Sequence, residues 1–270
     1  MTTDPTPLAV REHRGGSADA VPVVLLHGFP VDARMWDTTV AELPGDRRVL
    51  AVDLPGLGGS ATVPLGEPTL DASADAVAAA LADRGITCAV VVGLSMGGYV
   101  ALALLERHPD LVAGLGLLDT KATADEPDAR ANRLRIADAV EATGSVDEVL
   151  PMGGVLLGES SRVARPELAE ELTGWIDEQA PAGVAWSQRA MAARPDRSEV
   201  LAAYRGPVLI LVGDEDQVTP VDLAEAMTRG LTDVQLVVVV RAGHMSAVED
   251  PAAVAAALAD LAQRADTAQV

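Results

Sequence analysis

Cysteine is nearly missing from this chain: its 270 residues hold one, Cys88. A single thiol excludes an internal disulfide framework and any cysteine cluster around a metal. Its place at the head of a valine run reads as that of a small buried hydrophobe. Lysine is as scarce, with Lys121 alone among 20 basic residues that face 40 acids. The resulting net charge of −20 repels phosphate backbones and anionic lipid surfaces, so neither nucleic acid nor a membrane is an expected partner. No apolar run approaches the length needed to cross a bilayer. Residues Met1-Thr2-Thr3-Asp4-Pro5 carry an acid where a secretory leader carries lysine or arginine, and a cytoplasmic location is expected. Cofactor motifs are missing too. The glycines of Asp53-Leu54-Pro55-Gly56-Leu57-Gly58-Gly59-Ser60 are followed by no lysine and open no G-x-G-x-x-G helix, and no H-x-x-x-H pair exists. The expectation is no cofactor and no metal, with a small molecule as the partner; oligomeric state is left open.

What is present is a folded α/β pattern. Hydrophobic residues make up 49% of the chain, in short runs that alternate with longer segments of helical period. Strands are expected at Leu8 to His13 (antiparallel), Val21 to His27, Arg48 to Asp53, Cys88 to Leu94, Gly114 to Asp119, Pro207 to Gly213 and Val234 to Arg241. Between residues 121 and 205 the rhythm turns helical, as in Arg133 to Val140 and Leu168 to Leu172, broken by Pro151, Pro166 and Pro181. This predicts a core of residues 1–120 and 206–270 with a helical cap, 121–205, inserted above the strand ends. No internal repeat is present.

The informative hexamer is Gly93-Leu94-Ser95-Met96-Gly97-Gly98, a G-x-S-x-G pattern directly after an apolar run. A serine at a sharp strand-to-helix turn occupies a strained backbone, and glycines two positions away leave room for it. Ser95 is thus a candidate nucleophile, and a serine hydroxyl needs a base. Of four histidines, His244 in Ala242-Gly243-His244-Met245 follows a strand and sits at the expected active edge. His108 falls at a helix C-terminus, where a cation is favoured. His13 reads as surface, and His27 as a residue that holds its loop by hydrogen bonds. Asp214, Glu215 and Asp216, after another strand, are candidate acids to orient the base.

The order Ser95, Asp216, His244, with His27-Gly28-Phe29-Pro30 and the Asp53 to Ser60 loop, resembles the α/β-hydrolase family over nearly the whole chain. The resemblance implies a mostly parallel eight-stranded sheet flanked by helices. It implies Asp216 as the acid, by the pattern G-x-x-D-x-x-x-P at Gly213 to Pro220, with Asp214 as the rival. It also implies an oxyanion hole from the backbone N–H groups of Phe29 and Met96. A carboxylesterase is the implied activity. The alternatives are an enol-lactone-type lactonase, a carbon–carbon bond hydrolase, perhydrolase side activity, and a non-catalytic ligand-binding member. Met152, Val155, Leu156, Trp175, Trp186 and Met191 could wall an acyl pocket; Phe29, Met152, Trp175, Trp186 and Met245 are the substrate-binding candidates. Arg130, Arg133, Arg135 and Arg189 are expected to form solvated ion pairs. Because a base must be neutral, activity is expected to fall on the acid side near the ordinary imidazole pKa of about 6.5.

Overall fold

The computed structural model describes residues 7–16 and 20–268; Met1 to Pro5, from which the location was read, lie outside them. Among the described residues one sheet contains β1 (Val10–Arg14), β2 (Val23–Leu26), β3 (Val49–Val52), β4 (Ala89–Leu94), β5 (Val112–Leu118), β6 (Val208–Gly213) and β7 (Val234–Val239). Their order is β1-β3-β2-β4-β5-β6-β7, and every neighbouring pair is parallel except β1 with β3. The sheet therefore has seven strands, not the expected eight. One antiparallel strand precedes β2 and forms the edge beside β3, with Val10 opposite Val52.

The inner strands β2 to β6 are buried along their whole lengths, which is why they read as unbroken Val/Leu/Ile runs. β7 is the other edge and alternates, exposing Leu236 and Val238. A register shift lies between Glu12 and Arg14, and this bulge falls on His13. His13 is consequently half-buried against Asp37 rather than on the surface; burial holds its pKa below the usual value.

Helices α1 (Asp37–Glu42), α2 (Leu70–Ala82) and α3 (Met96–Arg107) precede β5. Six more, α4 (Pro127–Thr143), α5 (Met152–Val155), α6 (Glu159–Ala164), α7 (Glu167–Asp177), α8 (Pro181–Ala193) and α9 (Ser198–Ala203), lie between β5 and β6. After β6 come α10 (Val221–Met227), α11 (Ser246–Glu249) and α12 (Pro251–Ala268). α4 shows the local logic: Pro127 at its first turn suits a helix start, and Gly144 ends it at φ 64°. No helix among the described residues is long and apolar enough to cross a membrane.

The α4–α9 segment touches the loops after four strands. Gln179 Nε2 donates to Asp32 Oδ2 (2.9 Å), Gly58 N to Gln179 Oε1 (2.9 Å), Ser160 N to Glu215 Oε2 (2.8 Å) and His244 N to Leu156 O (2.8 Å). A Cβ on Gly183 would lie 1.7 Å from Gly56 O, so the two backbones meet where no side chain fits. The inserted helices thus lie over the carboxyl ends of the sheet.

Candidate active site

Ser95 joins β4 to α3 with φ 53° and ψ −111°, a region in which a non-glycine residue is strained by about 1–3 kcal/mol. The surroundings hold it there. Its N–H donates to Leu118 O on β5 (2.9 Å), and its carbonyl accepts from Gly98 N (3.0 Å), Tyr99 N (3.2 Å) and Thr120 Oγ1 (2.8 Å). The flanking glycines are needed by contact: a Cβ at Gly93 would lie 2.1 Å from Gly97 O, and one at Gly97 2.2 Å from Leu26 O.

His244, in the loop after β7, brings Nε2 to 2.8 Å from Ser95 Oγ and Nδ1 to 2.8 Å from Asp216 Oδ2. Both side chains are buried, and Ser95 is half-buried. Asp216 is the most heavily bonded of the three acids after β6. Val218 N (2.7 Å) and Thr219 N (2.9 Å) donate to its Oδ1, and Thr219 Oγ1 (2.7 Å) to its Oδ2. Burial pushes its pKa up, but the hydrogen bonds from His244 and Thr219 more than offset this and leave it below the usual carboxylate range. Asp214 is exposed and accepts from Arg241 N (2.6 Å); Glu215 is taken by Ser160 N (2.8 Å) and Oγ (2.5 Å).

Behind the relay lies Asp119, at the end of β5. Its Oδ1 accepts from Gly213 N (3.0 Å) and its Oδ2 from Ser246 N (3.1 Å) and Oγ (2.5 Å), so one carboxyl ties the acid loop to the base loop. Complete burial, then the nearby Asp216 charge, raise its pKa well above the ordinary value. Sequence reasoning ended a strand at Asp119 without giving it this task. It also passed over Thr219, which stands inside the recognised acid motif.

Phe29 follows β2, and Met96 is the first residue of α3, next to Ser95. Gly28 brings the first loop close, since a Cβ there would lie 3.6 Å from Ser95 Cβ. Among the described residues neither the Phe29 nor the Met96 N–H has a hydrogen-bond partner. His27 supports this loop: its Nδ1–H donates to Gly28 O (2.8 Å) while Nε2 accepts from Leu54 N (2.9 Å), an arrangement that requires the neutral ring. Burial lowers its pKa accordingly. Asp53 is a turn residue, accepting from Ala33 N and Gly59 N at 2.8 Å each.

Met152, Trp175 and Trp186 are half-buried and pack against the core, whereas Met245 is wholly buried. Trp186 Nε1 donates to Gly66 O (2.9 Å), and the Trp175 ring receives Arg34 at 5.8 Å. Arg133, Arg135 and Arg189 form ion pairs with Asp125, Glu148, and Asp138 with Glu141. Arg194 and Arg197, which drew no notice in the sequence, are buried. Arg194 pairs with Asp125 (2.7 Å) and stacks on Tyr99 at 4.0 Å, and Arg197 reaches Glu106 (2.9 Å) and Asp71.

A family model described as the alpha/beta hydrolase fold matches residues 21–251. The chain is 30% identical over 281 aligned positions to a pimeloyl-[acyl-carrier protein] methyl ester esterase of Neisseria meningitidis serogroup A, covering 94% of this chain and 80% of the relative. It is 33% identical over 253 positions to a 2-succinyl-6-hydroxy-2,4-cyclohexadiene-1-carboxylate synthase of Enterobacter sp., covering 88% and 90%. Among solved structures, a thermophilic esterase from Thermogutta terrifontis superposes with a TM-score of 0.88 at 38% identity, covering 96% of this chain and 94% of that one.

Proposed function

The chain belongs to the α/β-hydrolase family, and on that premise we propose that it is a serine hydrolase cleaving carboxylic esters of small substrates through an acyl-enzyme. The observation that carries this reading is the unbroken relay Asp216–His244–Ser95, two contacts of 2.8 Å ending on a serine held at positive φ. The 38% identity to an esterase over nearly the whole chain supports the ester rather than another bond.

His244 Nε2 takes the Ser95 proton as Oγ attacks the ester carbonyl. The negative charge that develops on the carbonyl oxygen is held by the Phe29 and Met96 N–H groups, each such donor being worth about 3 kcal/mol of barrier. Collapse breaks the bond to the alcohol oxygen, which leaves with the proton from His244. Water then gives a proton to the same nitrogen, attacks the acyl group and releases the acid, while the proton returns to Ser95 Oγ. Asp216 holds Nδ1–H towards itself and stabilises the imidazolium in both halves. The 121–205 segment acts as the cap, with Met152, Trp175 and Trp186 as the side chains closest in kind to an acyl-pocket wall.

A fluorophosphonate probe followed by intact mass tests this. One adduct on the wild type, lost in Ser95→Ala, is expected; an unlabelled wild type refutes the activated serine. Nitrophenyl esters assayed beside lactones and vinylogous diketones then fix the bond cleaved, with ester turnover expected to lead.

A further inference from the structure

The base loop is held by groups that all come from outside it. Four consecutive backbone donors are engaged: Gly243 N (2.9 Å) and Met245 N (3.1 Å) by Glu249 Oε1, His244 N (2.8 Å) by Leu156 O, and Ser246 N (3.1 Å) by Asp119 Oδ2. Glu249 is only 4% exposed, and its other oxygen, Oε2, accepts from Gly158 N (2.9 Å). Its backbone carbonyl accepts from Arg165 Nη2 (2.5 Å). Leu156, Gly158 and Arg165 all belong to the inserted helical segment.

We infer that Glu249 is a positioning residue that holds His244 in line with Ser95 and makes that placement conditional on the seated cap. The inference rests on His244 acting as the base, as proposed above. A plain helix-capping role accounts for the bond to Met245 N, because Met245 caps the start of α11. It does not account for the second oxygen on Gly158 or for the reach back across His244 to Gly243.

The contact between cap and loop is backbone against backbone. A Cβ at Gly158 would lie 2.8 Å from Gly243 N and 2.6 Å from Glu215 Oε2; one at Gly243 would lie 2.2 Å from Gly158 N. Lifting the cap removes Leu156 O from His244 N and Gly158 N from Glu249 in one motion. Water then takes the place of two directed contacts beside the base, so the loop is no longer fixed where His244 meets Ser95. Chemistry is thereby confined to the seated state, where His244 is held in line with Ser95.

Glu249→Gln probes this directly. The amide keeps one acceptor oxygen, which serves the two base-loop amides, and turns an NH2 donor toward the Gly158 N–H. We expect kcat to fall roughly 10- to 100-fold, the cost of a misplacement near 1 Å, with KM changed less than about twofold. The low-field proton resonance of the His244–Asp216 bond should broaden in the variant, and fluorophosphonate labelling should slow in step with kcat. Wild-type kcat and labelling in a folded variant overturn the inference. Native-state hydrogen exchange on the wild type decides the coupling whether or not the variant folds: the Gly158, Gly243 and Met245 amides should open as one unit, and independent opening of Gly158 overturns it. A wild type that takes no fluorophosphonate is the separate failure of the serine-hydrolase reading, and the exchange experiment does not depend on it.

Discussion

Replacing Asp216 by asparagine separates the orienting task of the acid from its charge. Asp216 Oδ1 accepts from Val218 N and Thr219 N, two backbone donors that cannot turn away. The carbonyl oxygen of the asparagine must therefore take that position, and its NH2 faces Thr219 Oγ1 and His244 Nδ1. The threonine hydroxyl can rotate and accept. The imidazole must then present a lone pair at Nδ1 and carry its proton at Nε2, the nitrogen 2.8 Å from Ser95 Oγ. A protonated Nε2 cannot receive the serine proton, so the base is disabled while its geometry is kept. A triad put in the wrong tautomer loses about 10,000-fold in kcat, equivalent to about 5 kcal/mol of barrier. Stability should change by less than about 1.5 kcal/mol, because each hydrogen bond has a replacement. Nitrophenyl ester turnover, the rate of fluorophosphonate adduct formation and a urea melt measure the three quantities. Asp216→Asn turnover within about tenfold of wild type refutes the assignment. Asp214→Asn is the control: its oxygen can still accept from Arg241 N on the surface, and kcat should move by less than about threefold.

Gly97→Ala places a Cβ 2.2 Å from Leu26 O and 2.9 Å from His27 O, so the end of β2 must give way. The expected loss is about 3 kcal/mol, seen as a fall in Tm of roughly 6–12 °C by calorimetry; an unchanged Tm contradicts it. The Asp125 side chain is buried, and although burial alone pushes its carboxyl up, Arg194 and Arg133 hold it far below the usual carboxylate range. Its stabilisation is complete above the unfolded value of about 3.9 and is lost as pH falls toward the folded one. Asp125→Asn should therefore cost about 3 kcal/mol at pH 7 and at pH 5, with the deficit shrinking at pH 3. Urea melts at the three pH values check the sign, and a deficit that grows on acidification refutes it. A general base acts only in its unprotonated form, so a pH–rate profile of ester turnover flat from about pH 5 to 9 contradicts the assignment of the base, and a fall on the acid side is expected.

Much of this molecule was determined by sequence, because buried parallel strands and strained turns each leave a local signature. Val90 to Val92 must be apolar on both faces when helices cover the sheet, and Ser95 needs Gly93 and Gly97 as neighbours. The α/β class, the places of the seven strands and the candidate roles of Ser95 and His244 were therefore legible. The tertiary structure alone decided the rest. The half-buried setting of His13 followed from a bulge that no composition announces, and the eighth strand that the family resemblance implied is not among the described residues. Asp119, Glu249, Arg194 and Arg197 look like ordinary charged residues in the chain, and their burial is set by neighbours as much as 127 positions away. A backbone N–H that needs an acceptor leaves no mark in the sequence, so the residue that answers it is visible only once the loops after β5, β6 and β7 and the inserted helices have been brought together.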